Sequence, residues 1–362
     1  MKAPISVCIL AKNEEDVIAD CIRSVNKFVK EVILLDTGST DLTREIAASE
    51  GAVVRNGIWA DDFGKSRNEL IKYAAQPYVL MLDADERLVN PSLTDLEHAV
   101  SLLQNASNLV GRVEINNIND DNRISVAQII RLFPNKIGFQ YSGRIHEQLL
   151  YNEAPPETVV TKIRLTHYGY TKKTILSKDK IARNLKLLFA QLNDHANEPY
   201  TLFQIGKTYF VNKQYDEALT YLTEAYKYSN SNMPFYPSII RTLAETFLRT
   251  KEWTQLLSLL DFAIQIFHDY TDLYYIYGSA LIEIRTIESF QLIPTAFERC
   301  VELGDADPHK YEGEKGAGTY LAHYNLGLYY ELSGNLEKAK FHYKTSGGLG
   351  FKLADSRLAQ LS

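Results

Sequence analysis

Val79-Leu80-Met81-Leu82-Asp83-Ala84-Asp85-Glu86 runs from four apolar residues straight into three carboxylates within four positions. An uninterrupted apolar run of this length reads as a strand buried on both faces. The two aspartates, one residue apart, project to the same side if the strand pleat persists. Hard oxygen ligands at that spacing suit magnesium or manganese held against a phosphate. An isolated Asp-x-Asp is more often a solvated turn, so the flanking segments decide its meaning.

Working outward, residues 1 to about 170 alternate short β-branched runs with amphipathic helices, the pattern of an α/β layer fold. Strands are expected at Ile5–Leu10, Val32–Leu35, Ala52–Val54 and Val79–Leu82, and helices at Glu15–Val25, Leu42–Ser49 and Lys65–Ala75. Strand-helix units in series imply a largely parallel sheet with right-handed crossovers. Ligands of such sheets sit beyond the carboxyl ends of the strands. Polar clusters fall there: Ala11-Lys12-Asn13-Glu14 after the first strand, Asp36-Thr37-Gly38-Ser39-Thr40-Asp41 after the second, Asp83 and Asp85 after the strand at 79. Ser39, Thr40 and Asp41 have the residue types of a helix cap, whereas Asp36 ends a strand without a capping duty.

The chain has 362 residues, 45% hydrophobic and 23% charged, which suggests two domains. A formal charge of −6 with dispersed Lys and Arg argues against a nucleic-acid partner. The apolar start is broken by Lys12, Asn13, Glu14, Glu15 and Asp16, so neither a signal core nor a membrane span is expected and the location is read as cytoplasmic. Cys8, Cys21 and Cys300 match neither a zinc site nor a disulfide framework, and Cys8 and Cys21 read as small core residues.

Beyond residue 195 the chain turns helical, and 17 of its 23 tyrosines lie after residue 190. Gly206, Tyr209, Ala218, Leu222 and Ala225 sit at offsets 0, 3, 12, 16 and 19, and Ala244, Phe247, Leu256, Leu260 and Ala263 repeat them. Gly327, Tyr330, Ala339 and Tyr343 follow the same rule, while Gly278 and Leu281 open a copy whose second helix, around 296–303, is displaced. The pattern resembles tetratricopeptide repeats, in which small residues admit the partner helix. We therefore expect an α/β domain over 1–170, a bridging helix in 171–195 with Ile181, Leu185, Leu188 and Leu192 on one face, and a helical repeat domain over 196–362. Such arrays are interaction surfaces, here for a peptide or protein acceptor or for a homodimer contact.

Pro4 to Glu15, Leu35 to Asp41 and Leu82 to Glu86 together resemble the successive signatures of family 2 glycosyltransferases, whose fold is the GT-A nucleotide-diphospho-sugar transferase fold. Phe63 with Arg67-Asn68, Arg131-Leu132-Phe133-Pro134-Asn135, Gly143-Arg144-Ile145-His146-Glu147 and His167-Tyr168-Gly169-Tyr170 resemble its repeat-bearing branch, which includes peptide S-glycosyltransferases acting on bacteriocins. The resemblance implies a UDP- or dTDP-sugar donor and an Mg2+ or Mn2+ ion. Ala11, Asn13, Glu14, Asp36 and Gly38 would hold the nucleoside, with Asp36 accepting from the pyrimidine N3–H. Asp83 and Ala84 would meet ribose and sugar, Asp85 with Asp83 and His167 the metal, and Glu147 would be the catalytic base. Arg67 suits either phosphate neutralisation or an ion pair with the aspartate at 61, 62 or 83. Glu147 has a competing role in a salt bridge to Arg144 or Arg131. A nucleotidyltransferase shares the acidic strand ends but needs a glycine-rich basic turn, which Ala11-Lys12-Asn13-Glu14 lacks; a repeat scaffold with a degenerate transferase domain is the other alternative.

Overall fold

Strand β1 (Ala3–Ala11) sits between β2 (Val29–Asp36) and β4 (Tyr78–Asp83), parallel to both, and β3 (Val53–Asn56) extends the parallel set beyond β2. The structure, a computed structural model, describes residues 2–118, 124–168 and 174–361. Gly169 and Tyr170 of the late motif lie outside them. Two compact units divide the chain at Met1–Asp194 and His195–Ser362.

In the first unit the helices α1 (Ile18–Val25), α2 (Thr43–Ser49) and α3 (Phe63–Ile71) connect β1 to β4. Beyond β4 the sheet is mixed, in the order β3-β2-β1-β4-β7-β6-β10-β5. Here β5 is Glu86–Leu88, β6 Leu109–Ile118, β7 Ile124–Pro134 and β10 Glu157–His167, with α4 (Leu93–Leu102) leading into β6. The expected parallel character thus holds for one half of the sheet only, because β7 runs antiparallel to both β4 and β6. A separate hairpin, β8 (Phe139–Ser142) with β9 (Gln148–Tyr151), follows β7.

Both faces of the central strands are covered, which is why β4 reads as continuous apolar sequence. Val7, Ile9, Leu80 and Leu82 face a core shared with Ile18, Ile22, Leu96 and Ala99, while Cys8, Val79 and Met81 face Leu70, Phe133 and Tyr141. Cys8 and Cys21 are fully buried. Helix α1 begins at Ile18 rather than near Glu15, because Asn13 takes a left-handed φ of 57° and residues 13–15 bond to the next strand-end loop instead. Helix α5 (Thr174–Asp194) closes the first unit. Gln191 accepts from the Arg144 amide at 2.9 Å, Asp194 pairs with Arg144, and Lys186 pairs with Asp61 at 2.8 Å.

The second unit is a series of helical hairpins: α6 (Pro199–Val211) with α7 (Tyr215–Tyr228), α8 (Tyr236–Thr250) with α9 (Trp253–Ile266), α10 (Thr271–Ile284) with α11 (Ile287–Leu303), and α12 (Tyr320–Leu332) with α13 (Leu336–Gly348), ending in α14 (Lys352–Gln360). The expected packing rule is visible in atoms. A Cβ on Gly206 would fall 2.6 Å from Leu222, one on Gly327 2.6 Å from Tyr343, and one on Gly278 2.7 Å from Phe297. The first two pairs are sixteen residues apart and the third nineteen, so the displaced copy keeps its close contact with a shifted register.

Residues 304–319 return across the first helices of these hairpins. Tyr311 stacks on Tyr270 with centroids 4.2 Å apart, the Tyr270 hydroxyl donates to the Glu312 carbonyl, and Lys207 binds Glu312 at 2.8 Å. The Glu314 amide donates to Asp272 Oδ1 at 2.8 Å, and Arg241 Nε lies 2.9 Å from the same oxygen. Asp272 is buried and its Oδ2 has no partner. Burial pushes its carboxyl up to about 7, against the pull of Arg241. A carboxyl raised in the folded state contributes stability that is complete below its unfolded value and fades as pH climbs through the folded value. The melting temperature of Asp272→Asn, measured by calorimetry, is therefore expected to gain on that of the parent between pH 5 and pH 8; a constant difference would refute the assignment.

Candidate active site

Strand register brings the acidic clusters to one edge. Ala11 pairs with Asp36, Asp36 with Asn56, and Leu10 with Asp83, so the carboxyl ends of four strands finish level. The loops after β1 and β2 are bonded together. Ala11 O accepts from Thr37 N and Oγ1, Asn13 N donates to Ser39 Oγ at 2.9 Å, Asn13 Oδ1 accepts from the Thr40 amide at 2.8 Å, and the Glu14 amide donates to Thr43 Oγ1 at 2.8 Å. Asp36 does have a capping duty: its carboxylate accepts from the Gly38 and Ser39 amides at 3.1–3.2 Å. Gly38 supplies the φ of 105° that this turn requires.

Behind β4 lies a buried row of alternating charge. Arg131 on β7 reaches Asp83 Oδ2 at 2.7 Å and Glu86 Oε1 at 2.6 Å; Arg67 on α3 reaches Asp83 Oδ1 at 2.7 Å and, through Nε, Glu147. Arg67, Arg131 and Glu86 are each less than a tenth exposed. Burial alone would raise the Asp83 carboxyl, but Arg131 and Arg67 outweigh it and hold it well below the usual range. Burial pushes Glu86 up, with Asp83 adding to the effect and Arg131 opposing it. The Tyr141 hydroxyl and Arg67 Nη1, in the same region, are buried with no hydrogen-bond partner.

The motifs quoted for the repeat-bearing branch converge on this row. Asn68 exchanges two hydrogen bonds with the Tyr141 backbone at 2.7 and 2.8 Å, the Phe63 amide donates to the Arg144 carbonyl at 2.7 Å, and a Cβ on Gly64 would fall 2.6 Å from the Gly143 carbonyl. Helix α3 is thereby pinned to the 139–147 segment, which delivers Glu147 to Arg67. Asn135 ties β7 to the end of α3 through the Ala74 and Gln76 carbonyls.

Asp85 stands apart from the row. Its Oδ2 lies 3.3 Å from His167 Nε2, and His167 Nδ1 lies 3.0 Å from Asn117 Oδ1, which fixes the ring. Burial would lower the His167 imidazole, but the bond to Asp85 and the nearby carboxylates raise it. A carboxylate beside an imidazole is a fitting donor pair for a divalent cation. Asp83 is not, since both its oxygens are already taken by arginines. Among the described residues no group of three His, Cys, Asp or Glu side chains gathers as a metal site. Two protein ligands suffice where substrate phosphates and water complete the shell.

Of the expected residues, the structure unites Ala11, Asn13, Glu14, Asp36 and Gly38 in one strand-end assembly, Arg67, Asp83 and Glu147 in the buried row, and Asp85 with His167; Ala84 is buried between the last two groups. The Glu147 partner is Arg67, not Arg144 or Arg131, and the aspartate of Arg67 is Asp83. Asn117 and Tyr141 gave no sequence signal. Arg131, weighed from sequence only as a partner of Glu147, pairs instead with Asp83 and Glu86.

Acidic strand ends thus lie at one edge of a half-parallel sheet, with the Asp85–His167 pair at the same edge. Residues 6–156 match the family model "Glycosyl transferase family 2", so the amino-terminal unit carries a domain of that family. The chain is 25% identical over 259 residues to the SPbeta prophage-derived glycosyltransferase SunS of Bacillus subtilis, covering 70% of this chain and 61% of that one. It is 29% identical over 212 residues to a TPR repeat-containing protein of Synechococcus elongatus, covering 56% of this chain and 52% of that protein. It thus spans between half and two thirds of these relatives. Among solved structures, a crystal structure of MamA aligns over 51% of this chain and 94% of its own at 18% identity, with a TM-score of 0.39. No helix among the described residues is long and apolar enough to cross a membrane.

Proposed function

We propose that the chain is an inverting, metal-dependent glycosyltransferase that moves a sugar from a UDP- or dTDP-sugar to a peptide or protein side chain, cysteine or serine, or to a saccharide. The observation that carries this reading is the Asp85–His167 pair, set at the same sheet edge as the Asp36 loop, while both oxygens of Asp83 are bound by arginines. Asp85 and His167 would hold Mg2+ or Mn2+, which supplies charge neutralisation for the departing nucleoside diphosphate. Asp36 and the 11–14 loop would fix the nucleoside.

In the transfer, the acceptor sulfur or oxygen forms a bond to the anomeric carbon as the bond from that carbon to the phosphate oxygen breaks, and the electron pair leaves with the diphosphate. The acceptor proton goes to Glu147. Arg67 holds one oxygen of Glu147, leaving the other as proton acceptor. A thiol asks little of that base, since its thiolate is reached near neutrality and is intrinsically nucleophilic, whereas a hydroxyl asks more. Of the two side chains, cysteine is therefore the less demanding acceptor.

The test is to incubate the chain with UDP-, dTDP- and GDP-sugars, with Mn2+ or with EDTA, and with matched cysteine and serine peptides, reading the products by mass spectrometry. Metal-dependent transfer to the cysteine peptide is expected. No transfer, together with no calorimetric binding of any nucleoside diphosphate in Mn2+, would sink the proposal.

A further inference from the structure

The loop joining β3 to α3 starts beside Asp36, since the Gly57 amide donates to the Asp36 carbonyl at 2.8 Å. Two residues on stands Trp59, half-buried and outside both cores of the sheet. Its indole is held from several sides. Nε1 donates to Asp61 Oδ1 at 2.8 Å, the other oxygen of Asp61 takes Lys186 of α5 at 2.8 Å, and the Phe63 ring meets the indole edge-on at 4.7 Å. Arg183 of α5 lies over Phe63 at 5.3 Å and feels the charge of Glu14, while Asp61 feels Lys12. The backbone bond to Asp36 and the Asp61–Lys186 pair thus tie the loop that carries the indole to the end of β2 on one side and to α5 on the other.

Asp61 itself adopts a left-handed φ of 52°, a region that aspartate enters more readily than most residues and that turns the chain toward α3. An aspartate that clamps an indole contributing little to the core is an orienting device, not a packing one. We propose that Trp59 is the stacking wall of a nucleobase subsite, fixed by the Asp61–Lys186 latch, for the pyrimidine of a nucleoside diphosphate anchored at Asp36. This rests on the donor reading above and adds to it the residue that grips the base. Aromatic faces stack any base, so Asp36 selects the pyrimidine and Trp59 supplies affinity.

The chain has two tryptophans, Trp59 and Trp253, so Trp253→Phe leaves Trp59 as sole reporter. UDP, dTDP and inorganic pyrophosphate, each with Mn2+, are titrated into it with fluorescence and calorimetry in parallel. The nucleotides are expected to quench Trp59 with the calorimetric midpoint and pyrophosphate is not; Trp59→Ala is expected to weaken UDP by about ten- to a hundred-fold and Trp59→Phe by less. UDP binding by calorimetry with silent fluorescence, equal quenching by pyrophosphate, or unchanged affinity in Trp59→Ala would each overturn the subsite while leaving the donor reading standing. Absence of nucleotide binding in the parent would remove both.

Discussion

Arg131→Ala is expected to destabilise the amino-terminal unit by about 3–5 kcal/mol, the usual consequence of removing one partner from a buried ion pair. Among the described residues Arg131 is the one cation paired with Glu86, which is only 2% exposed, and one of two paired with Asp83. Without it two carboxylates, linked by the bond from the Asp83 amide to Glu86, are left with Arg67 alone. The cost arises from stranded charge, so a second change should recover much of it: Glu86→Gln with Arg131→Met is expected to be more stable than Arg131→Ala. Urea unfolding of the three proteins measures this. A loss below about 1 kcal/mol in Arg131→Ala would mean that water reaches Glu86 and the row is not a closed network.

Asp85→Asn is expected to lower metal-dependent transfer by a factor on the order of 10²–10³, the scale of losing one group that meets developing charge. Its folding should change little. The Asp85 side chain pairs with His167 at the edge of the sheet and anchors no core element, so a shift of the melting temperature within about 2–4 °C is expected. Asp83→Asn makes the informative comparison. It disturbs the arginine row, and its loss of activity should come with a loss of stability. Turnover by Asp85→Asn at the parental rate with the parental manganese dependence would refute the metal assignment.

Much of this architecture was legible in the sequence because it rests on local periodicity. The strands that carry Ala11, Asp36 and Asp83 announce themselves as apolar runs, and the helical hairpins as small residues paired with large ones sixteen positions on. Partner choice was less legible. Asp83 looks like a free ligand in its own strand, yet its two arginines come from positions 16 and 48 residues away, delivered by α3 and β7. No local spacing encodes that pairing. Asp36 was misjudged for a different reason: the turn chemistry of Gly38 and Ser39 competes for its oxygens at a range of two and three residues. The mixed half of the sheet was hidden because β6 and β7 carry polar residues and because β7 joins β4, and β10 joins β6, across long stretches of chain.

The segment around Glu312 has a bearing on what the helical hairpins can receive. Lys207, Tyr270 and Asp272, on α6 and α10, already hold a piece of the same chain, an aromatic residue followed by an acid and a glycine. A tethered segment of this kind is present at an effective concentration in roughly the millimolar range. A free peptide contending for Lys207 must therefore bind far more tightly than its solution concentration alone would demand, or else use a face that residues 304–319 leave open. Any peptide reaching for Lys207 would thus face a competitor that is always present, before any other side chain is read.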